Sequence, residues 1–166
     1  MRFYYLNIAF FLISFSIISC NNQPKELPYL GNVEIVNGQE LKHKVGTIHH
    51  WNQDSILMSN QDFKDVIYVA DFFFTSCPSI CPRVIKEMLK IYEEFKNDPM
   101  IKIVSFTIDP IRDTPQRLKL YADNLKIDHN KWYFLTGDKD QTLKLADTYF
   151  VAAFEDPEAP GGFDHS

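Results

Sequence analysis

Two cysteines placed between a buried strand and a helix constrain the fold of this chain more than any other feature. An apolar run over residues 66–74 predicts a buried β-strand, and Cys77 and Cys81 follow it, each directly before a proline. Beyond them, apolar residues recur at helical spacing. Because proline suits the first turn of a helix but disrupts its interior, we expect residues 77–81 to form a tight turn and the regular helix to begin near Pro82.

The position of the two thiols favours their ionisation and brings them close together. Unpaired N–H groups at a helix N-terminus lower the pKa of a thiol, and a separation of four residues places two side chains on one face of a helical backbone. Two adjacent thiolates can close a disulfide or bind a soft metal. We therefore predict an accessible site formed by Cys77 and Cys81, rather than two cysteines that pack as small hydrophobic residues.

The rest of the chain alternates strands and helices. Apolar runs predict strands over residues 101–108 and 131–136, and Thr114 is placed to cap a helix over residues 115–125. A further helix is expected over residues 141–150. Strands that alternate with helices indicate an α/β fold with a largely parallel sheet.

Upstream of the cysteines, the sequence predicts short antiparallel pairs. Asn37-Gly38 lies between two apolar runs, which is a strong hairpin signal, and a second pair is expected between His43 and Met58. His49 and His50 are consecutive, so on a strand their side chains point to opposite faces. We expect these histidines to be surface or half-buried residues rather than a shared metal site.

The N-terminal segment predicts export. Residues 1–19 carry Arg2 as their one charge and then a long apolar stretch, which is typical of a secretory signal. The sequence that ends at Cys20 resembles the lipobox of bacterial lipoproteins, which implies cleavage before Cys20 and lipid attachment to its thiol; an uncleaved anchor helix is the alternative. Residues 20–32 predict a linker, and residues 33–166 predict the folded domain.

The charge balance and the C-terminal segment add two further expectations. The formal net charge of -5 argues against a nucleic-acid partner, since such domains are typically basic. Residues 155–166 are rich in Pro and Gly and predict a flexible loop that ends at Asp164-His165-Ser166. Because an α/β fold ordinarily continues with another strand and a helix, we expect this sequence to be a fragment.

Three motifs, in order along the chain, resemble those of the Sco/SenC family of membrane-tethered, thioredoxin-like copper proteins. They are Thr75-Ser76-Cys77-Pro78-Ser79-Ile80-Cys81-Pro82, Phe106-Thr107-Ile108-Asp109-Pro110-Ile111-Arg112-Asp113-Thr114-Pro115 and Asp164-His165-Ser166. The resemblance implies a thioredoxin-like α/β fold with an N-terminal β-hairpin extension. It also implies that Cys77, Cys81 and His165 bind copper, as Cu(I) or Cu(II), and that Asp109 lies near the site.

The same resemblance implies a function and a location. The family helps to build the binuclear copper centre of cytochrome c oxidase by delivering copper, by reducing the cysteines of the target, or by both. The expected partner is subunit II of that oxidase or a similar copper-site apoprotein. The expected location is the bacterial cell envelope, with a lipid anchor and the domain facing the periplasm. Family members continue past the last motif with a strand, a turn and a helix, so we expect the C-terminus to be incomplete.

The chemistry of the residues supports a copper site and leaves an alternative open. Thiolates select Cu(I), and imidazole is also a good copper ligand, so two thiolates and one imidazole suit three-coordinate Cu(I). A metal-independent thiol–disulfide oxidoreductase would use Cys77 and Cys81 alone, one to attack and the other to resolve the mixed disulfide. His165 discriminates between the two functions. A peroxidase is a weaker alternative, since nothing in the sequence marks a peroxide pocket beside a lone activated thiol.

The sequence also supports expectations for four other polar residues. Asp109 ends a core strand, where it could accept a hydrogen bond from His165 or a thiol, or cap the following turn. For Arg112 and Asp113 we expect a local ion pair or a contact at the start of the helix. His129 is predicted to be an exposed loop residue.

Overall fold

The computed structural model describes residues 29–165, except for the side chains of Asp164 and His165. The predicted signal peptide over residues 1–19, the lipid attachment at Cys20 and most of the linker lie outside the described residues. Within the described part, helices long and apolar enough to cross a bilayer are absent.

The described chain divides into two units, with the boundary after His43. The first contains the predicted hairpin, in which β1 (Val33–Val36) pairs antiparallel with β2 (Gln39–Lys42). Asn37 and Gly38 form its turn with φ values of 52° and 76°. Positive φ at both central residues is the type I′ geometry that matches the twist of a two-stranded ribbon.

The second unit is built around a five-stranded sheet in the order β4-β3-β7-β6-β5. Its strands are β3 (His49–Asn52), β4 (Leu57–Ser59), β5 (Ile67–Phe73), β6 (Ile101–Thr107) and β7 (Trp132–Thr136), with a 3-10 helix over Asn60–Phe63. The neighbours β5, β6 and β7 are parallel, while β3 runs antiparallel to both β4 and β7. This confirms the predicted thioredoxin-like α/β fold with a largely parallel core.

Each of the three described α-helices begins at a proline or at a capping side chain. They are α1 (Cys81–Phe95), α2 (Pro115–Leu125) and α3 (Lys139–Thr148). Pro82 lies in the first turn of α1, as predicted, and Thr114 caps α2 by accepting a hydrogen bond from the Arg117 amide. The third helix begins two residues earlier than predicted because Asp138 caps it, accepting from the Gln141 amide at 2.9 Å.

The C-terminal segment corrects the sequence-based prediction of a flexible loop. Strands β8 (Ala153–Glu155) and β9 (Phe163–His165) form an antiparallel hairpin, which we call the C-terminal hairpin. Its turn is closed by Asp156, whose amide donates to the Gly162 carbonyl at 3.1 Å. The Pro and Gly residues correctly marked a turn, but strands of three residues are too short to show a periodicity.

Candidate metal centre

The loop that carries the cysteines leaves the carboxyl end of β5, the edge at which parallel α/β sheets place their sites. The Cys77 amide donates to the Phe74 carbonyl at 3.1 Å, which closes a turn directly after the strand. The Ile80 carbonyl accepts from the Arg83 and Val84 amides, so the first turn of α1 forms at once. Cys81 is the first residue of that helix. We refer to residues 74–81 as the cysteine loop.

Both cysteines are reduced, and both are more buried than the sequence suggested, at 8% exposure for Cys77 and 5% for Cys81. The expectation of an accessible pair is therefore wrong. The C-terminal hairpin packs beside the cysteine loop, with the rings of Phe163 and Phe74 5.4 Å apart. This contact joins segments far apart in sequence, so the local pattern could not reveal it.

The two thiols differ in acidity. Burial alone would raise the pKa of Cys77, but hydrogen bonds from the thiol and amide of Cys81 and from Ser79 outweigh it, and the pKa falls below its ordinary value. Burial and the hydrogen bond with Cys77 raise the pKa of Cys81 to about 12, with a smaller contribution from the charge of Asp71. Cys77 is thus the first to become a thiolate, while Cys81 keeps its proton. The expectation that the helix N-terminus lowers the pKa of the two thiols is therefore wrong for Cys81.

A buried carboxyl lies in the strand that leads to the cysteine loop. One oxygen of Asp71 accepts a hydrogen bond from Ser105 Oγ, which also accepts from Trp132 Nε1 at 2.8 Å. The other oxygen has no hydrogen-bond partner among the described residues. Burial raises the pKa of Asp71 to about 7. The sequence analysis included Asp71 in the apolar run and missed it as a titratable group.

Asp113 anchors the cysteine loop to the domain. Its fully buried carboxylate accepts from the Thr75 amide at 2.9 Å, from the Thr75 hydroxyl, and from the Thr107 hydroxyl at 2.6 Å. Arg117 Nε lies 3.5 Å from the same carboxylate and donates to Thr75 Oγ1 at 2.7 Å. The expected local role of Asp113 is therefore incomplete, because its main partner stands 38 residues earlier in the chain.

Asp109 is buried, at 4% exposure, and bears on the site through Arg112. Arg112 Nη1 lies 3.0 Å from Asp109 Oδ2, so the arginine does form a local ion pair, but its partner is Asp109, while Asp113 pairs with Arg117. The same Nη1 donates to Ser76 Oγ at 3.5 Å and to the Gly161 carbonyl at 3.4 Å. Arg112 thus meets both the cysteine loop and the C-terminal hairpin.

The hairpin approaches the cysteine loop closely. Gly161 has φ +92°, and a Cβ atom there would lie 2.6 Å from Phe74 Cε2 and 3.5 Å from Pro78 Cδ. The last hairpin strand ends at His165, whose backbone pairs with Ala153. The side chain of His165 lies outside the described part. Among the described side chains, groups of three or more Cys, His, Asp or Glu that could hold a metal are absent.

His50 corrects the expectation of a surface or half-buried residue. It is 1% exposed, because β3 lies inside the sheet. Its Nε2–H donates to Thr142 Oγ1 at 2.8 Å, and Nδ1 accepts from the His49 amide at 3.2 Å. Burial, with the proximity of His49, lowers the pKa of His50 to about 4. His49 is exposed, as expected from strand alternation.

His129 is also more engaged than the predicted exposed loop residue. Its side chain is 19% exposed and lies between two carboxylates, with Nδ1 2.9 Å from Asp54 and Nε2 3.2 Å from Asp123. It therefore bridges the β3–β4 turn and α2, away from the cysteines.

Comparisons with known proteins agree with the fold and with the motifs. The family model described as SCO1/SenC matches residues 37–166. A SCO1/SenC family lipoprotein from Bacillus anthracis is similar in structure, with a TM-score of 0.62 and 29% identity over 74% of this chain and 73% of that one. BsSco, described as a member of the Sco family of cytochrome c oxidase assembly proteins with a disulfide switch, has a TM-score of 0.58 and 32% identity over 65% and 64%.

A third similar structure is ScoI of Bradyrhizobium japonicum with copper bound, at a TM-score of 0.63 and 25% identity over 74% of this chain and 78% of that one. The chain spans about half to two thirds of the length of the curated relatives it matches, at 66%, 55% and 48% of three of them.

Proposed function

The chain belongs to the SCO1/SenC family, and from this premise we propose that it binds a copper ion through Cys77, Cys81 and His165. The chain then delivers the copper to an apoprotein, or it prepares the cysteines of that apoprotein. The proposed client is subunit II of cytochrome c oxidase or a similar copper-site protein. BsSco is described as a cytochrome c oxidase assembly protein, and the similar ScoI structure contains copper, which supports this client and this metal.

One observation carries the proposal: two hydrogen-bonded thiols lie in a loop against which a hairpin ending at His165 packs. Sulfur donors are soft and favour Cu(I), and adjacent thiols fit a metal that both can hold once Cys81 loses its proton. Imidazole from His165 would complete a three-ligand set with an open coordination position. When bound, copper would supply a soft, redox-active cation that a competing ligand can reach.

We propose that the domain is tethered to the membrane in the bacterial cell envelope, facing the periplasm. The apolar residues 1–19 and the lipobox-like sequence that ends at Cys20 support this location. The similar structure from Bacillus anthracis is described as a lipoprotein. A lipid on Cys20 would leave Cys77 and Cys81 as the two thiols available to the site.

A second function is favoured by the unequal acidity of the thiols. Cys77 ionises at lower pH than Cys81, which is the arrangement that thiol–disulfide exchange needs. The Cys77 thiolate would attack a partner disulfide and form a mixed disulfide. Cys81 would then lose its proton and attack Cys77, which releases the reduced partner and leaves a Cys77–Cys81 disulfide. This metal-independent reductase makes no use of His165.

The test is a Cu(I) titration of the purified, reduced protein against a competing chelator. Wild type, Cys77→Ser, Cys81→Ser and His165→Ala are measured side by side, with His49→Ala as the matched control because His49 is exposed and lies on β3. We expect one tightly bound Cu(I) per wild-type chain. The serine variants should lose it, and His165→Ala should weaken it at least tenfold, whereas His49→Ala should match wild type.

Two results would contradict the copper assignment in different ways. An unchanged affinity in His165→Ala would remove His165 from the ligand set. Absence of tight copper in wild type, together with a readily cycled Cys77–Cys81 disulfide, would favour the metal-independent reductase.

A further inference from the structure

Arg112 makes an unusual set of contacts for a half-exposed side chain. Its Nη1 group donates to Ser76 Oγ in the cysteine loop at 3.5 Å and to the Gly161 carbonyl in the C-terminal hairpin at 3.4 Å. The two segments also make apolar contacts around Phe74. One guanidinium nitrogen therefore bridges the two parts of the proposed metal site.

A buried carboxylate holds the guanidinium in this position. Asp109 Oδ2 lies 3.0 Å from Arg112 Nη1, and its side chain is 5% exposed while that of Arg112 is 53% exposed. A buried carboxylate needs a compensating charge, so Asp109 stabilises the inward position of the arginine head. The guanidinium head then reaches both the loop and the hairpin. The donor–acceptor distances of 3.5 and 3.4 Å make both hydrogen bonds weak.

We propose that Arg112 is a positioning residue, which fastens the C-terminal hairpin to the cysteine loop and so sets where the hairpin's last strand lies relative to Cys77 and Cys81. One consequence of this inference rests on the proposed function: loss of the contact should weaken copper binding. The contact itself requires no copper. Its first effect is on the opening of the hairpin, which is measurable in the metal-free protein.

The chain offers a matched control in Arg117. Its side chain is 49% exposed, and it pairs with the buried Asp113 four residues earlier. It also donates to Thr75 in the cysteine loop. Arg112→Gln and Arg117→Gln thus remove the same group at similar exposure, next to a buried Asp, but only Arg112 contacts the hairpin in the described structure. Any difference in hairpin opening reports the contact with Gly161.

The first measurement is amide hydrogen exchange of the reduced, metal-free protein. We expect Arg112→Gln to accelerate exchange of the amides of residues 153–165 about threefold relative to wild type, because the hydrogen bond from Arg112 to Gly161 is charge-assisted but long. Arg117→Gln should leave those amides at the wild-type rate. Arg112→Lys keeps the charge but loses the planar fork, and should fall between them. If Arg112→Gln fails to fold, the comparison is made with Arg112→Lys instead.

The second measurement is Cu(I) affinity in a double-mutant cycle. As a single substitution, Arg112→Gln should weaken Cu(I) binding severalfold. Added to His165→Ala, it should have no further effect on Cu(I) affinity, because the hairpin then carries no ligand to position. Equal hairpin exchange in the Arg112 and Arg117 variants would overturn the inference whatever the copper result. Absence of copper binding in wild type would overturn the proposed function, while the exchange data would still decide whether Arg112 fastens the hairpin.

Discussion

The cysteine loop and the C-terminal hairpin meet at one edge of the sheet, but they are held there by different kinds of contact. The loop is anchored by the fully buried carboxylate of Asp113, which accepts three hydrogen bonds from two threonines. The hairpin is attached by the ring contact between Phe163 and Phe74 and by a long hydrogen bond from Arg112. At its other end, the ion pair between Lys139 and Glu155 is partly exposed.

The difference predicts unequal local stability. Hydrogen bonds to a buried charge contribute about 1.5–3 kcal/mol each, whereas exposed ion pairs contribute roughly 0–1 kcal/mol. The hairpin should therefore open far more often than the loop. In the proposed site, the two sulfur ligands would belong to the firmly anchored loop and the third ligand to the hairpin, which has the weaker attachment. A site divided in this way keeps two ligands in place while the third can leave.

Removal of the anchor should have the largest effect. Asp113→Ala leaves the Thr75 amide and the Thr107 hydroxyl without their acceptor inside the domain. We expect the free energy of unfolding to fall by about 3–5 kcal/mol, as found when one partner of a buried charged network is removed. Denaturant titration measures this change.

Asp113→Asn and Asp123→Ala are the controls for that experiment. Asparagine keeps one oxygen acceptor and should recover part of the loss. Asp123 is an exposed carboxylate that pairs with His129, so its removal should cost less than about 1 kcal/mol. A loss below that size in Asp113→Ala would show that the loop does not depend on this anchor, and the contrast with the hairpin would fail.

The next effect concerns the buried carboxyl of Asp71, in the strand that precedes the cysteine loop. Burial raises the pKa of Asp71 from 3.8 to about 7, which corresponds to roughly 4 kcal/mol. Between these values the folded state binds more protons than the unfolded state, so the contribution of Asp71 to stability falls as pH rises from about 4 to 7. Asp71→Asn removes this loss but buries an amide donor at a cost of about 1–3 kcal/mol. We expect a net gain of about 1–3 kcal/mol at pH 8.

His50 changes the stability with pH in the opposite direction to Asp71, and the pH dependence of stability therefore tests the Asp71 prediction. Its pKa is lowered from 6.5 to about 4, so the unfolded state binds the extra proton and stability falls as pH drops through that range. The two effects partly cancel in the wild type. In Asp71→Asn, unfolding free energy measured from pH 4 to 8 should therefore rise more steeply with pH than in the wild type. Parallel curves would mean that Asp71 is ionised in the folded protein throughout.

The sequence predicted those features that depend on neighbouring residues. The apolar run before the cysteines, the proline in the first turn of α1, the Thr114 cap and the Asn37-Gly38 turn are all visible within a few residues. Each feature depends on the backbone preferences and hydrogen bonds of neighbouring residues, and these can be inferred from a single sequence. The position of the thiols at the junction of β5 and α1 followed from these features.

The sequence could not show what joins these elements. Asp113 meets Thr75 across 38 residues, Arg112 meets Gly161 across 49, and His50 meets Thr142 across 92. A partner at that distance leaves no periodic signal in either segment. The burial of the cysteines and of His50 was missed for the same reason, because each is covered by an element from elsewhere in the chain.

The smallest effect tests the attachment of the hairpin directly. Gly161 and Gly162 have nearly the same backbone, with φ of +92° and +89°, but an added Cβ would strike the Phe74 ring only at Gly161 and meets nothing within 4 Å at Gly162. Both alanine variants carry similar backbone strain, so their difference isolates the packing contact. We expect Gly161→Ala to speed amide exchange in residues 153–165 about fivefold relative to Gly162→Ala, with global stability equal within about 1 kcal/mol. If the hairpin were as firmly anchored as the cysteine loop, the clash would instead be transmitted to the core, and Gly161→Ala would lower the global unfolding free energy by more than that.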